Sequence, residues 1–283
     1  MTPDRLELQR KRQRVEDDLA RFGRVVVAFS GGVDSTLLAA LGRAVLGKRN
    51  LLAATADSPS LSRRDLAYAC QLAVTLDLEH TVVATREVTT PSYQANTERR
   101  CYVCKQELFS ELGELARQQG FPMVLYGAIG DDLLAERPGQ LAARDYGVKA
   151  PLQEAGFAKA DVRELARLLG LPNWDRPQNA CLASRIPHGM GVTEEKLQQV
   201  EQAEAVLLGL GFRQVRVRHL GSHARIEVGL EEIPRFQDVQ LCRDVGGRFA
   251  RLGFRSVGVD RRGYRAGGAD KTTIEEQPLV TSD

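Results

Sequence analysis

The chain has 283 residues, 43% apolar and 27% charged, a composition that excludes disordered, collagenous and disulfide-scaffold classes and suffices for one large domain or two ordinary ones. Lys and Arg total 39 against 37 Asp and Glu, a net charge of +2, so no broad cationic field is available to hold a polyanion and no nucleic-acid partner is expected. No stretch nears the ~18 uninterrupted apolar residues of a membrane span, the first 24 residues are charge-rich with no apolar signal region, and an odd count of five cysteines argues against a secreted disulfide framework; the expectation is a cytoplasmic protein with no membrane partner.

Leu6, Val15, Leu19 and Phe22 recur among charges at helical spacing, so the first 22 residues read as an amphipathic helix. Residues 24–29 (RVVVAF) are a β-branched run of the kind buried in parallel sheets, followed by a Gly-rich turn and a helix over 35–46. Strand 51–56 leads to helix 62–76, strand 81–84 to helix 102–119, and 123–126 is a fourth strand. This alternation predicts right-handed crossovers and a doubly wound parallel α/β sheet. Residues 170–191, with three prolines and the only Trp, interrupt the pattern. Helix 193–208, strands 213–218 and 223–228, helix 234–251 and strand 254–259 then suit a second, smaller α+β domain. The expected domains are residues 1–175 and 176–265, with 266–283 as a flexible tail.

Four groups of residues carry chemistry. Ser30-Gly31-Gly32-Val33-Asp34-Ser35-Thr36 follows the first strand and opens the first helix, where small residues let backbone N–H groups close on a phosphate, the helix N-terminus adds its positive end and the hydroxyls add donors. It is not a Walker A loop, because Asp34 stands where that motif needs lysine; Asp34 is a candidate Mg²⁺ partner instead. Cys101 and Cys104 are separated by two residues, with Cys104 in the first turn of a helix, which favours thiolate; a redox pair, a Zn or Fe–S half-site and incidental cysteines all remain open. Cys181 sits on a Gly/Pro-flanked loop four residues before Arg185, a reactive-thiol setting. Cys70 and Cys242 fall in apolar helical stretches and read as core. Arg216 and Arg218 share one strand face by alternation, and beside Arg225 and His219 they suit a substrate phosphate or a solvated face. Glu227 on the neighbouring strand either pairs with an Arg or serves as a metal ligand.

SGGVDST resembles the PP-loop of the ATP pyrophosphatases, which split ATP between the α and β phosphates and adenylate a substrate oxygen. The resemblance implies adenine against Ala54, Asp57 and Ser58, and a nucleotide site closed by Gly127, Asp131 and Asp132. The RCYVCK segment, the 150–172 stretch, the ACLASRIPHG loop, the RVRHLGSHARIEV hairpin and GYRAGG together resemble the LarE family, ATP-dependent sulfur transferases of nickel-pincer nucleotide cofactor synthesis. This implies adenylation of pyridinium-3,5-biscarboxylic acid mononucleotide and its conversion to thiocarboxylates, with ATP and Mg²⁺ as cofactors and a homo-oligomer, a hexamer, as the assembly. In that family a single cysteine in the ACLASR-type loop sacrifices its sulfur, whereas members with three cysteines hold a [4Fe–4S] cluster; Cys101, Cys104 and Cys181 resemble the second kind. Catalysis is then expected at Asp34, Cys181, Ser184 and Arg185, and substrate phosphate at Arg185, Arg216 and Arg218. The competing readings are a tRNA-thiolating PP-loop enzyme, disfavoured by the near-neutral charge, and a nucleotide-binding regulator with a Cys₃His zinc site that includes His188.

Overall fold

The computed structural model describes residues 3–130, 138–177, 179–265 and 276–279. In chain order the elements are α1 (Pro3–Phe22), β1 (Val25–Ala28), α2 (Val33–Leu46), β2 (Leu51–Asp57), α3 (Arg63–Thr75), β3 (Glu79–Ala84), α4 (Pro91–Gln94), α5 (Arg100–Gln118), β4 (Met123–Tyr126), α6 (Pro138–Asp145), α7 (Pro151–Glu154), α8 (Lys159–Leu168), α9 (Glu194–Gly209), β5 (Val215–Leu220), β6 (His223–Val228), α10 (Val239–Arg251), β7 (Ser256–Asp260) and β8 (Glu276–Leu279). They form two units. The first takes the chain up to Glu87 together with Arg99–Asn179; the second takes Val88–Glu98 together with the chain from Ala180 onward.

The first unit is an α/β fold on a four-stranded, all-parallel sheet of order β3-β2-β1-β4. Val25, Val26 and Val27 of β1 and Leu51, Leu52 and Ala53 of β2 are all buried, as runs without alternation must be when helices cover both sheet faces. Leu37, Leu38 and Leu41 of α2 pack with Val15 and Leu19 of α1 and with Val162, Leu165 and Ala166 of α8 in one core cluster. Phe109 and Leu112 of α5 meet Val26 and Val124 in another. Ser62 caps α3, its hydroxyl accepting from the Asp65 N–H at 3.1 Å.

The second unit is a mixed sheet of order β5-β6-β7-β8. β5 and β6 form an antiparallel hairpin turned by Gly221 (φ 76°) and Ser222, a two-residue connection of the kind that needs a left-handed residue. β7 runs parallel to β6, and β8 returns antiparallel against β7. Phe212, Phe236, Phe249 and Phe254 fill its core.

Several elements depart from the sequence expectation. Residues 276–279, read as part of a flexible tail, form β8; four mixed residues are too few to show a period. The single helix expected over 234–251 is a 3₁₀ segment, Leu230–Gln237, followed by α10, because Asp238 caps a fresh helix by accepting from the Gln240 N–H at 2.8 Å. Cys70 is half-buried rather than in the core, whereas Cys242 is buried. Replacing Leu38, fully buried beneath the first sheet, with Ala is expected to destabilise the fold by about 3 kcal/mol, read as a lowered urea midpoint with unchanged far-UV circular dichroism at zero denaturant.

Candidate active site

In the first unit the chain leaves β1 and turns sharply through Ser30–Gly32 into α2. Gly31 has φ 69°, and a Cβ there would stand 3.1 Å from Ala69 Cα, so only glycine satisfies both the backbone and the packing. Ser35 Oγ donates to Gly32 O at 3.0 Å and accepts from Ser30 N–H at 3.2 Å. Among the described residues no side chain caps the start of α2 at Gly32, which leaves its first N–H groups for an anion. Gly127, just after β4, closes on this turn: a Cβ there would be 2.7 Å from Ser35 N and 2.9 Å from Asp34 C. Ser30, Gly31, Gly32, Asp34, Ser35, Thr36 and Gly127 are thus brought together. Asp131 and Asp132 lie outside the described residues.

Two further residues reach the turn that sequence reasoning did not single out. Lys159 Nζ donates to both Asp34 oxygens, at 2.9 and 2.7 Å. Buried Asn173 donates from Nδ2 to Gly31 O and to Thr36 Oγ1, both at 3.0 Å. Of the segment expected to meet adenine, Ala54 is 1% exposed and its carbonyl accepts from Phe29 N–H; its side chain therefore belongs to the sheet core, which corrects its expected role. Asp57 pairs with Arg63, and Ser58 is hydrogen-bonded to Ser60 and Glu87. Cys101, exposed, and Cys104, partly buried, are three residues apart in α5 and share one face. A cavity of about 310 Å³ beside β4, lined by Tyr126, Gln140, Arg144 and Lys149 among others, includes none of the loop residues.

In the second unit Cys181 is exposed and precedes the 3₁₀ turn Leu182–Arg185. Its backbone is clamped: Ser184 Oγ donates to Cys181 O at 2.7 Å and Arg185 Nη1 donates to the same oxygen at 2.9 Å. Arg185 is fully buried and forms a bidentate pair with Glu204, at 2.9 Å to Oε1 and 3.2 Å to Oε2. Arg218 grips Glu227 the same way, at 3.0 and 2.7 Å, and donates to Ser184 O at 3.0 Å. Arg225 lies 3.5 Å from Glu227. Arg216 is half-buried over the Tyr264 ring, 5.1 Å from its centroid, and forms no ion pair among the described residues. Burial, then the nearby Arg185 guanidinium, lower the Arg216 pKa from its ordinary value, which marks a cation short of counter-charge.

This arrangement revises three expected roles. Arg185 and Arg218 spend their forks on Glu204 and Glu227 and hold the cysteine loop through Cys181 O and Ser184 O, whereas Arg216 forms no ion pair among the described residues. Glu227, offered as a metal ligand, has both oxygens taken by Arg218; among the described residues no cluster of three or more His, Cys, Asp or Glu is arranged to hold a metal. His219 is buried with Nε2 against Gln199 Oε1 at 2.8 Å, and burial lowers its pKa, which keeps it neutral and unsuited to an anion. His188 is exposed. Asn96, another residue without an evident sequence signal, adopts φ 50° and donates from Nδ2 to the carbonyls of Ile186, Pro187 and Met190 at 3.2, 2.8 and 2.9 Å, pinning the far side of the cysteine loop.

Residues 8–118 match the NAD synthase family model, which covers the loop and the helices around it. An uncharacterized protein of Synechocystis sp. is 44% identical over 92% of this chain and 97% of its own length. The pyridinium-3,5-bisthiocarboxylic acid mononucleotide synthase of Lactiplantibacillus plantarum is 37% identical over 90% of this chain and 91% of its own length. The chain belongs to the LarE family. An uncharacterized protein of Methanocaldococcus jannaschii, 26% identical over 86% of the chain, lies further off. The LarE match covers 90% of the chain, whereas the NAD synthase match stops at residue 118, so the Ser30–Thr36 turn falls in both and Cys181 with its arginines lies beyond the second. No helix among the described residues is long and apolar enough to cross a membrane.

Glu204→Ala would leave the Arg185 guanidinium buried without its carboxylate. It is expected to cost on the order of 3 kcal/mol by urea denaturation, and the double variant Arg185→Met/Glu204→Leu is expected to recover most of that loss.

Proposed function

We propose that this LarE-family chain is an ATP-dependent sulfur transferase that converts pyridinium-3,5-biscarboxylic acid mononucleotide into the bisthiocarboxylic acid mononucleotide for which the L. plantarum relative is named. The observation that carries the ATP half is the uncapped Ser30–Thr36 turn closed by Gly127 and lacking a P-loop lysine. Such a turn suits an α-phosphate attacked by a substrate oxygen. A carboxylate oxygen of the substrate bonds to the α phosphorus, the bond to the bridging oxygen breaks, and pyrophosphate leaves with its electron pair. The acyl-adenylate then accepts a sulfur nucleophile at its carbonyl carbon and releases AMP.

Asp34 is the Mg²⁺ partner in this reading, with the hydroxyls of Ser30, Ser35 and Thr36 and the backbone of Gly31 and Gly32 at the phosphates. Arg216 takes the substrate phosphate, with Arg185 and Arg218 behind it. Cys101, Cys104 and Cys181, two exposed and one partly so, are in this reading the thiolates for three of the four irons of a [4Fe–4S] cluster. When bound, such a cluster would supply exchangeable sulfide at the iron lacking a cysteine ligand. Ser184 and Arg185 hold the Cys181 backbone and leave its Sγ uncommitted.

ATP turnover with substrate is expected to yield AMP and pyrophosphate and to vanish in Asp34→Ala, which loses the metal contact; ADP and phosphate as products would overturn the ATP reading. Arg216→Ala is expected to raise KM for the mononucleotide by ~30-fold, the loss of one charge-assisted pair, and tRNA competition with unchanged KM would point to a tRNA-thiolating enzyme instead. Cys101→Ala, Cys104→Ala and Cys181→Ala are each expected to lose iron and multiple turnover together, whereas Cys242→Ala keeps both. A mass loss of about 34 Da at Cys181 after one turnover, the H₂S of a consumed cysteine nucleophile, would show that the residue itself is the sulfur donor.

A further inference from the structure

The cavity of about 310 Å³ beside β4 contains no residue of the nucleotide turn or of the cysteine loop. It forms where α6 ends. Gly147 takes φ 65°, so its N–H and that of Val148 turn back onto Arg144 O and Ala143 O at 3.1 and 2.9 Å. The chain then runs along β4, Lys149 donating its N–H to Val124 O and accepting from Tyr126 N–H, both at 3.0 Å. Pro151 opens α7 at once, which bends the chain away and leaves a space bounded by α6, β4 and α7. Ala143, Val148 and Ala150 give it a buried apolar wall. Its polar lining is rich in donors that have no acceptor. Gln140 and Arg144, four apart on α6, share one face. Arg144 and Lys149 are exposed and form no ion pair or side-chain hydrogen bond among the described residues. Gln140 and Gln153 each carry a buried Nε2 without a hydrogen-bond partner among those residues. Water satisfies an exposed cation, but a buried amide nitrogen left unpaired is costly, and two of them on one lining call for an acceptor. The lining itself supplies little: Glu154, its single carboxylate, turns Oε1 toward the Ala150 N–H of its own helical turn at 3.4 Å.

We propose that this cavity is a second binding site on the nucleotide-loop unit, for a small organic anion that carries a carboxylate or phosphate-ester group. Two cations against one partly committed carboxylate give the lining a positive balance, and both kinds of anion offer several acceptor oxygens to guanidinium, ammonium and amide donors at once. The volume reaches the lower end of the range of small-molecule sites and exceeds what a bare inorganic ion fills, so the apolar wall is left for an organic body. Lys149 is locked to β4 on both sides of its peptide, which fixes the root of its side chain, while Arg144 closes from α6. The site adjoins the nucleotide turn and is separate from it: Tyr126 lines the cavity, and the next residue, Gly127, closes on Ser35. The proposal does not rest on the ATP reading, because none of the residues that carry it belongs to that turn.

The test titrates the full chain by calorimetry with isophthalate, ribose 5-phosphate and inorganic phosphate. At least one of the two organic anions is expected to bind, and whichever binds more tightly identifies the carboxylate or the phosphate ester as the group recognised. Lys149→Met and Arg144→Met, both at exposed positions, are each expected to weaken that binding about 10-fold, the loss of one charge-assisted contact. Gln153→Leu is expected to weaken it about 3-fold. Asp34→Ala and Arg216→Ala are expected to keep it within about twofold, which separates this cavity from the nucleotide turn and from the arginine strand. Should a charge variant fail to fold, a salt series on the wild-type chain decides, since affinity that does not fall as salt rises overturns a site built on two cations. Failure of both organic anions to bind, binding indifferent to Lys149→Met and Arg144→Met, or binding lost in Arg216→Ala would each overturn the proposal. Inorganic phosphate bound as tightly as either organic anion would also overturn it, by showing a site for a bare ion. A chain that binds isophthalate yet splits no ATP would overturn the ATP reading and support this inference.

Discussion

The start of α2 has no side-chain cap, and the chain on either side of it is closely packed. Gly31 abuts Ala69 and Gly127 abuts Ser35 N, so two strand-to-helix connections converge until a single methyl group at either place would collide. Convergence at this density is available only at the carboxyl ends of a parallel sheet, where every strand delivers its following loop to the same edge. The burial of β1 and β2 on both faces fixes that edge, because strands without a solvent face cannot slip by one residue to relieve a clash. The N–H groups at the start of α2 therefore remain pointed outward and in need of an acceptor, which is the property a phosphate exploits.

The second unit meets a different constraint. Arg185, Arg218, Arg225 and Glu227 are buried and Glu204 partly so, and taking so many charges from water is costly unless each finds a partner of good geometry. The bidentate pairs supply that geometry for two guanidiniums, while Arg216 is left with a carbonyl and an aromatic ring. A fold selected for stability alone would be served as well by apolar residues of similar volume. Four guanidiniums thus share two carboxylates near an exposed cysteine, an excess of positive charge inside this unit.

Much of the first unit was legible because its strands are short β-branched runs separated by amphipathic helices, and the period changes at each boundary. The Ser30–Thr36 turn was legible for the same reason, since its residues stand next to one another in sequence. What escaped notice depends on contacts between distant positions. Nothing near Lys159 signals a partner 125 residues earlier, and nothing near Glu204 announces the guanidinium 19 residues away. Asn96 adopts a left-handed backbone that glycine more often supplies, so its role in gathering three carbonyls emerges only in three dimensions. The arginine strand was half legible: alternation placed Arg216 and Arg218 on one face, but the register puts Arg216 opposite Glu227 and Arg218 opposite Arg225, and only the side-chain geometry shows that Arg218, diagonal to Glu227, takes its carboxylate.

The cysteines differ in a way that follows from the same physics. Cys242 is buried, its Sγ donates to Phe236 O at 3.1 Å, and burial raises its pKa; it stays protonated and inert. Cys181 is the reverse. Its carbonyl is gripped from two sides by Ser184 and Arg185, the loop beyond it is pinned by Asn96, and its side chain stands exposed. Rigidity has been invested in the backbone and withheld from the sulfur. A thiol held this way can ligate a metal, attack an acyl carbon or surrender its sulfur without disturbing the packing around it, since none of the contacts that hold the loop passes through Sγ. The loop thus constrains where the sulfur sits, and the chemistry done there is left to whatever the thiolate meets.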